Sequence, residues 1–201
     1  MKDFLKTITR LALLLVLFVF PKATQAMDDI PFISINSVGT EKKVSLVLKN
    51  LKTPTLIRLE SALEGVLLEE EITNEEYAKV FNLNELSAGN YKLVVTTGIR
   101  ETEQPLSITR TGLSLNINDR KEFFAPVIKA SGQLVDVSLL NNHLTSMTLK
   151  IEDIDGNLVF DDEVQNVVKV EKRYNLSKLP AGQYTVTLTV GEKVYSKTIR
   201  K

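Results

Sequence analysis

One stretch of this chain is written twice. Residues 81–98 align with residues 174–191 at an offset of 93, with eight identities in eighteen positions. Unrelated segments of that length would share about one. The shared core is Leu86-Ser87-Ala88-Gly89-Asn90-Tyr91 against Leu179-Pro180-Ala181-Gly182-Gln183-Tyr184. The same offset carries Gly39 onto Gly132 and Val44-Ser45-Leu46 onto Val137-Ser138-Leu139. Between these anchors the register drifts, as in Glu64-Gly65 against Asp155-Gly156. A tandem duplication with compensating loop changes accounts for all of this. It limits the fold to one that a block of about 85–90 residues can complete alone, the size of a small sandwich domain.

The first residues lie outside the repeat and read as an address. Lys2, Lys6 and Arg10 precede an unbroken apolar run over residues 11–20, which Pro21 ends. Thr24-Gln25-Ala26 supplies the small residues of a cleavage site. This is the layout of a secretory signal peptide, here 1–26. The run is too short for a membrane span, which needs about 20 apolar residues. With no Cys after it, a lipid-anchored start is excluded. The expected organisation is a signal peptide at 1–26, a first unit at 27–112 and a second at 113–201. No transmembrane anchor remains after cleavage.

Within each unit the apolar period is two. Tyr184, Val186, Leu188 and Val190 alternate with Thr185, Thr187 and Thr189. Val135, Val137 and Leu139 alternate with Asp136 and Ser138, and Val44, Leu46 and Leu48 with Ser45 and Lys49. Such alternation places one set of side chains on a buried sheet face and the other in solvent. Asp155-Gly156 between two such runs signals a tight hairpin, because Gly accepts the positive φ that the turn demands. About seven short strands per unit are expected, with turns every 8–12 residues. The fold class is therefore all-β: two tandem immunoglobulin-like β-sandwiches arising by duplication. Thr73-Asn74-Glu75-Glu76 matches a capping box and allows one helical turn between the sheets.

Little chemistry is on offer. The chain has no Cys, no Trp and one His, and 25 basic against 25 acidic residues. Thiol catalysis, disulfides, multi-His or Cys metal sites and a nucleic-acid footprint are excluded. His143 lies in a polar turn with no nucleophile or orienting carboxylate suggested beside it. The run Glu152-Asp153-Ile154-Asp155-Gly156 hints at a calcium loop, but Ile151 falls on the first ligand position. The acidic runs Glu69-Glu70-Glu71 and Asp161-Asp162-Glu163 read as solvated faces or guarded sheet edges. Phe123-Phe124 at the joint reads as packing between the units, or else as an exposed apolar contact. No catalytic residue, cofactor or metal site is expected.

The repeated motif itself reads as a tyrosine corner. Gly89 and Gly182 would permit a sharp turn into the strand. The hydroxyls of Tyr91 and Tyr184 would bond to backbone a few residues upstream, and Leu86 and Leu179 would complete each corner.

The second copy carries more. The hairpin Gly156, the pattern Pro180-x-Gly182-x-Tyr184-x-Val186, and the closing Lys197 and Lys201 together resemble the C-terminal sorting domain of the type IX secretion system. The resemblance covers about residues 125–201. It implies a β-sandwich read by outer-membrane secretion machinery of Bacteroidetes-type bacteria, with these seven residues as the features read. The chain also resembles small exported sandwich proteins of the same bacteria with no assigned activity. Two functions are expected on these grounds. One is a noncatalytic secreted or surface module of binding or adhesion type, whose partner, a cell-surface protein or glycan, docks on loops or an exposed strand edge. The other is a sorting signal carried by the second unit. Either places the protein outside the cytoplasm: periplasmic, cell-surface or secreted.

Overall fold

A computed structural model describes residues 30–201, so the signal-peptide expectation lies outside the described residues. The described chain is β throughout except for one 3-10 turn. The first unit opens with β1 (Phe32–Ser37), β2 (Lys43–Lys49), β3 (Thr55–Ser61) and β4 (Gly65–Ile72). It continues with β5 (Tyr77–Asn82), β6 (Gly89–Thr96) and β7 (Arg100–Ile108). A joint segment follows: β8 (Leu113–Ser114), a 3-10 turn (Ile117–Asp119) and β9 (Lys121–Phe124). The second unit holds β10 (Val127–Ser131), β11 (Leu134–Leu140), β12 (Met147–Asp153) and β13 (Leu158–Val164). It ends with β14 (Lys169–Asn175), β15 (Gln183–Val190) and β16 (Lys193–Arg200).

Each unit is a two-sheet sandwich with the same strand order. A three-stranded sheet β1-β2-β5 faces a sheet ordered β4-β3-β6-β7, and β10-β11-β14 faces β13-β12-β15-β16. The period-two alternation decides which side chains lie between the sheets. Val44, Leu46 and Leu48 of β2 are buried, as are Val135, Val137 and Leu139 of β11 and Tyr184, Val186 and Leu188 of β15. Each such aliphatic side chain contributes about 1.5–3 kcal/mol by leaving water. Two separate apolar clusters result, one drawn from residues 33–115 and one from residues 128–199.

The hairpins repeat as well. Gly65 and Gly156 have φ of 79° and 81°, and Gly39 and Gly132 both have φ of 59°. A register irregularity also recurs at equivalent points of the two units, between Leu59 and Glu60 in β3 and between Ile151 and Glu152 in β12.

Two local expectations are corrected. Residues 73–76 form a bend and no helix. Only these four residues link β4 to β5, and Glu75 O is engaged by Leu51 N at 3.0 Å from another loop, so a helical turn has neither the length nor the free carbonyl. Residues 113–124, placed at the start of the second unit by sequence, pair instead in the sheet of the first. β8 and β9 both lie against β7, and Leu113 and Leu115 pack on the first core. The apolar spacing of Leu113 and Leu115 fits either side of the joint; tertiary pairing selects the first.

Candidate functional site

The motif residues of the second unit gather at one end of its four-stranded sheet. β12 and β15 pair so that Asp153 lies opposite Tyr184, which brings the Gly156 hairpin beside the start of β15. That hairpin is held by one carboxylate. Asp153 accepts from Asp155 N (3.0 Å), Asn157 N (2.9 Å) and Asn157 Nδ2 (2.9 Å). The hydrogen bonds from Asn157 hold the Asp153 carboxyl below the ordinary aspartate value.

Tyr184 is buried, and its hydroxyl donates to Pro180 O at 2.8 Å. Tyr91 repeats this with Ser87 O, also at 2.8 Å. Leu86 and Leu179 pack half-buried against their respective cores. The expected role of the glycines is not met. Neither Gly89 nor Gly182 has a positive φ. A Cβ on either would make ordinary contact with the tyrosine ring edge, at 3.6 Å and 3.9 Å. The reversal is made one step earlier, where Leu179 N returns to Leu176 O and Leu86 N to Leu83 O. The glycines therefore need no left-handed backbone.

Lys201 belongs to the same end. It exchanges backbone hydrogen bonds with Gly182, donating at 2.9 Å and accepting at 3.3 Å. Its Nζ donates to Ser177 O at 3.0 Å and to Leu179 O. Gly156, Pro180, Gly182, Tyr184 and Lys201 thus form one corner. Val186 lies a pair deeper, fully buried, and Lys197 stands opposite it on β16. Lys197 reaches the other way, donating to Ile128 O of β10 at 2.6 Å. The first unit has Ile108 and Gln104 at the positions of these two lysines, both buried.

The acidic runs do more than face solvent. Glu70 of β4 takes Lys79 of β5 at 2.7 Å, and Asp162 of β13 takes Lys172 of β14 at 3.2 Å. Each pair ties one sheet to the other. Tyr174 adds a hydroxyl donor to Asp162 at 3.0 Å. Burial works to raise the Asp162 carboxyl, but Lys172 and Tyr174 outweigh it and hold it below the ordinary value.

The joint is polar and specific. Lys193 at the start of β16 donates to Glu101 and, at 3.2 Å, to Glu103, both on β7. Its ammonium sits 4.2 Å from the centroid of Phe123. Burial works against the charged form of Glu101, yet the Lys193 and Thr96 hydrogen bonds keep its carboxyl below the usual value. The His143 ring lies 4.6 Å from Phe123, and its Nε2 is 2.9 Å from Glu122 O. A carbonyl only accepts, so Nε2 carries the proton. Sequence reasoning named Phe123 and His143 but passed over Lys193. The two glutamates facing it are alternate residues of β7, a spacing visible only once β7 is known to be a strand. Among the described residues, no group of His, Asp and Glu is placed to hold a metal ion.

The fold defines a tandem immunoglobulin-like β-sandwich. Residues 130–201 match the family model of the secretion system C-terminal sorting domain. Three of the solved structures that the chain matches are the following, each at a TM-score below 0.5. A DUF3244 family protein with an immunoglobulin-like β-sandwich fold from Bacteroides vulgatus is 18% identical, with a TM-score of 0.35, over 38% of this chain and 82% of its own. Chicken CNTN1 FN1-FN3 domains are 10% identical, with a TM-score of 0.29, over 84% of this chain and 66% of theirs. The human OSCAR ligand-binding domain is 10% identical, with a TM-score of 0.24, over 85% and 97%. No curated protein matches the chain. No helix among the described residues is long and apolar enough to cross a membrane.

Proposed function

We propose that this is a noncatalytic exported protein, delivered across the inner membrane by a cleaved signal peptide at 1–26 and across the outer membrane by its second sandwich. The match of residues 130–201 to the sorting domain carries this reading. The corner supports it: Pro180 is exposed, Gly182 and Lys201 are half-buried beside it, and the buried Tyr184 fixes the corner from beneath through its bond to Pro180 O. The first sandwich is then the cargo, a binding or adhesion module for a cell-surface protein or glycan. The absence of Lys197 and Lys201 equivalents in the first unit favours a single address in the second.

The test follows the full-length protein in its native host. Lys201→Ala removes the contacts to Ser177 O and Leu179 O, and deletion of residues 197–201 removes the end of β16. The export reading expects both variants to accumulate in the periplasm while the parent reaches the surface or medium. Unchanged delivery of both variants rejects it. N-terminal sequencing of the delivered protein should begin at Met27.

A further inference from the structure

The two units differ most at one sheet edge. β7 and β16 are twins at the offset of 93, with Leu106 and Ile199 buried at the same point. Along an antiparallel ladder, every second residue turns its N–H and C=O to the inner partner and the others turn theirs outward. Lys201 exchanges both backbone bonds with Gly182, so Val194, Ser196, Thr198 and Arg200 of β16 face outward. On β7, Ala125 N donates to Ile99 O and Thr109 N to Gly112 O. This places Glu101, Glu103, Pro105 and Ser107 outward, the same four positions.

In the first unit that edge is occupied. β9 pairs with residues 100–103 of β7, and β8 pairs with Ser107 and Ile108. The 3-10 turn passes the gap at Pro105, which has no N–H to offer. The added strand is matched in charge: Lys121 lies opposite Glu103, and Glu122 Oε1 is 3.1 Å from Arg100 Nη1. Arg120 reaches inward to Gln104 Oε1 at 3.1 Å and Ile35 O at 3.4 Å. In the second unit, Lys197 replaces Gln104 and itself caps Ile128 O, the twin of Ile35 O. The cation that the joint segment supplies to the first unit is thus built into β16. Thr198 stands where β7 has Pro105, and β16 runs against β15 for eight residue pairs without a register shift. Among the described residues no strand pairs with its outer edge.

We propose that the outer edge of β16 takes an added antiparallel strand from another polypeptide, and that this strand is acidic. Residues 193–201 include Lys193, Lys197, Arg200 and Lys201 and no carboxylate side chain. Glu101 and Glu103 neutralise Lys193. Lys197 and Lys201 are bound only to carbonyls, and Arg200 is exposed. A recess of about 450 Å³ lined by Gln133, Ala181, Arg200 and Lys201 adjoins the end of the strand. Side chains alternate between the faces of β16, so Lys197 and Lys201 lie on the core side with Ile199, and Arg200 stands on the outer face. Carboxylates on alternate residues of an added strand would meet Arg200 there, as Glu122 meets Arg100 across the edge of β7. β16 of a second copy would bring like charges together, which is unfavourable across a strand pair. The other edges of the larger sheets, β4 and β13, each carry an acidic run and an irregular register, features that deter pairing. The inference stands apart from the export reading, because it concerns binding by the purified chain.

The experiment titrates the isotope-labelled processed chain with a blocked synthetic peptide of alternating threonine and glutamate, and with its threonine–lysine counterpart, following backbone amides by NMR and hydrogen exchange. The glutamate peptide should shift and protect the amides of Val194, Ser196, Thr198 and Arg200, weaken with salt, and outbind the lysine peptide. Thr198→Pro should abolish the effect. Arg200→Glu, at an exposed position, should remove the preference for the glutamate peptide while thermal stability stays unchanged. The proposal is overturned by equal binding of both peptides, by no response at the four amides, or by concentration-dependent protection of those amides in the free chain, which would assign the edge to a second copy.

Discussion

Replacing Tyr184 with phenylalanine removes one hydroxyl and leaves the ring that fills the core edge. The lost hydrogen bond, 2.8 Å to Pro180 O, is a neutral one worth about 1 kcal/mol net. A stranded buried carbonyl would raise that figure to as much as about 3 kcal/mol. Pro180 is exposed, so water can take up its carbonyl and the cost stays near the low end. In a unit of this size about 1 kcal/mol lowers the melting temperature by about 4–8 °C. The two units need not melt together, so the sharper assay is hydrogen exchange resolved by residue. The amides of Val186 and Leu188 should exchange roughly five-fold faster, while those of Leu93 and Val95 stay unchanged. Tyr91→Phe should give the mirror result through its bond to Ser87 O. Tyr184→Ala adds a cavity and should cost about 3–5 kcal/mol. If Tyr184→Phe exchanges like the parent, the hydroxyl bond contributes nothing and the corner is held by packing alone.

Gly182→Ala should be within about 1 kcal/mol of the parent, while Gly156→Ala, forced to a φ of 81°, should cost about 1 kcal/mol by chemical denaturation. Lys193→Met should leave the melting of each unit nearly intact but speed exchange at the joint, because its two carboxylate partners lie on the other unit. The carboxyl of Asp162 is depressed in the fold, so its contribution is present above its unfolded value near pH 4 and is lost as pH falls through the lower folded value. Asp162→Asn should therefore flatten the acid limb of a stability profile taken below about pH 4. Tyr174 is raised, chiefly by burial and then by Asp162, so its contribution holds below about pH 10 and is lost in stronger alkali. Tyr174→Phe should remove that alkaline loss, followed by phenolate absorbance.

Much of the fold could be read from the residues, because its determinants lie close together along the chain. Val135, Val137 and Leu139 announce a half-buried strand by spacing alone, and Asp155-Gly156 announces its hairpin. The roles of the glycines in the repeated motif were less legible. Identity at Gly89 and Gly182 reflects the duplication, and sequence cannot tell that from a demand for positive φ. The paired acids and lysines, Glu70 with Lys79 and Asp162 with Lys172, looked like solvated charge because their partners sit on different sheets.

The order of residues alone determined two copied blocks of alternating apolar side chains, hence paired sandwiches, since alternation and turn preference act over a few neighbouring residues. Tertiary structure alone decided which sheet edge was closed. Residues 113–124 fold back onto β7 and none of the described strands covers β16. That choice rests on hydrogen bonds and charges between segments far apart in the chain, such as Arg120 on Ile35 O and Lys197 on Ile128 O, and no local pattern encodes such pairings.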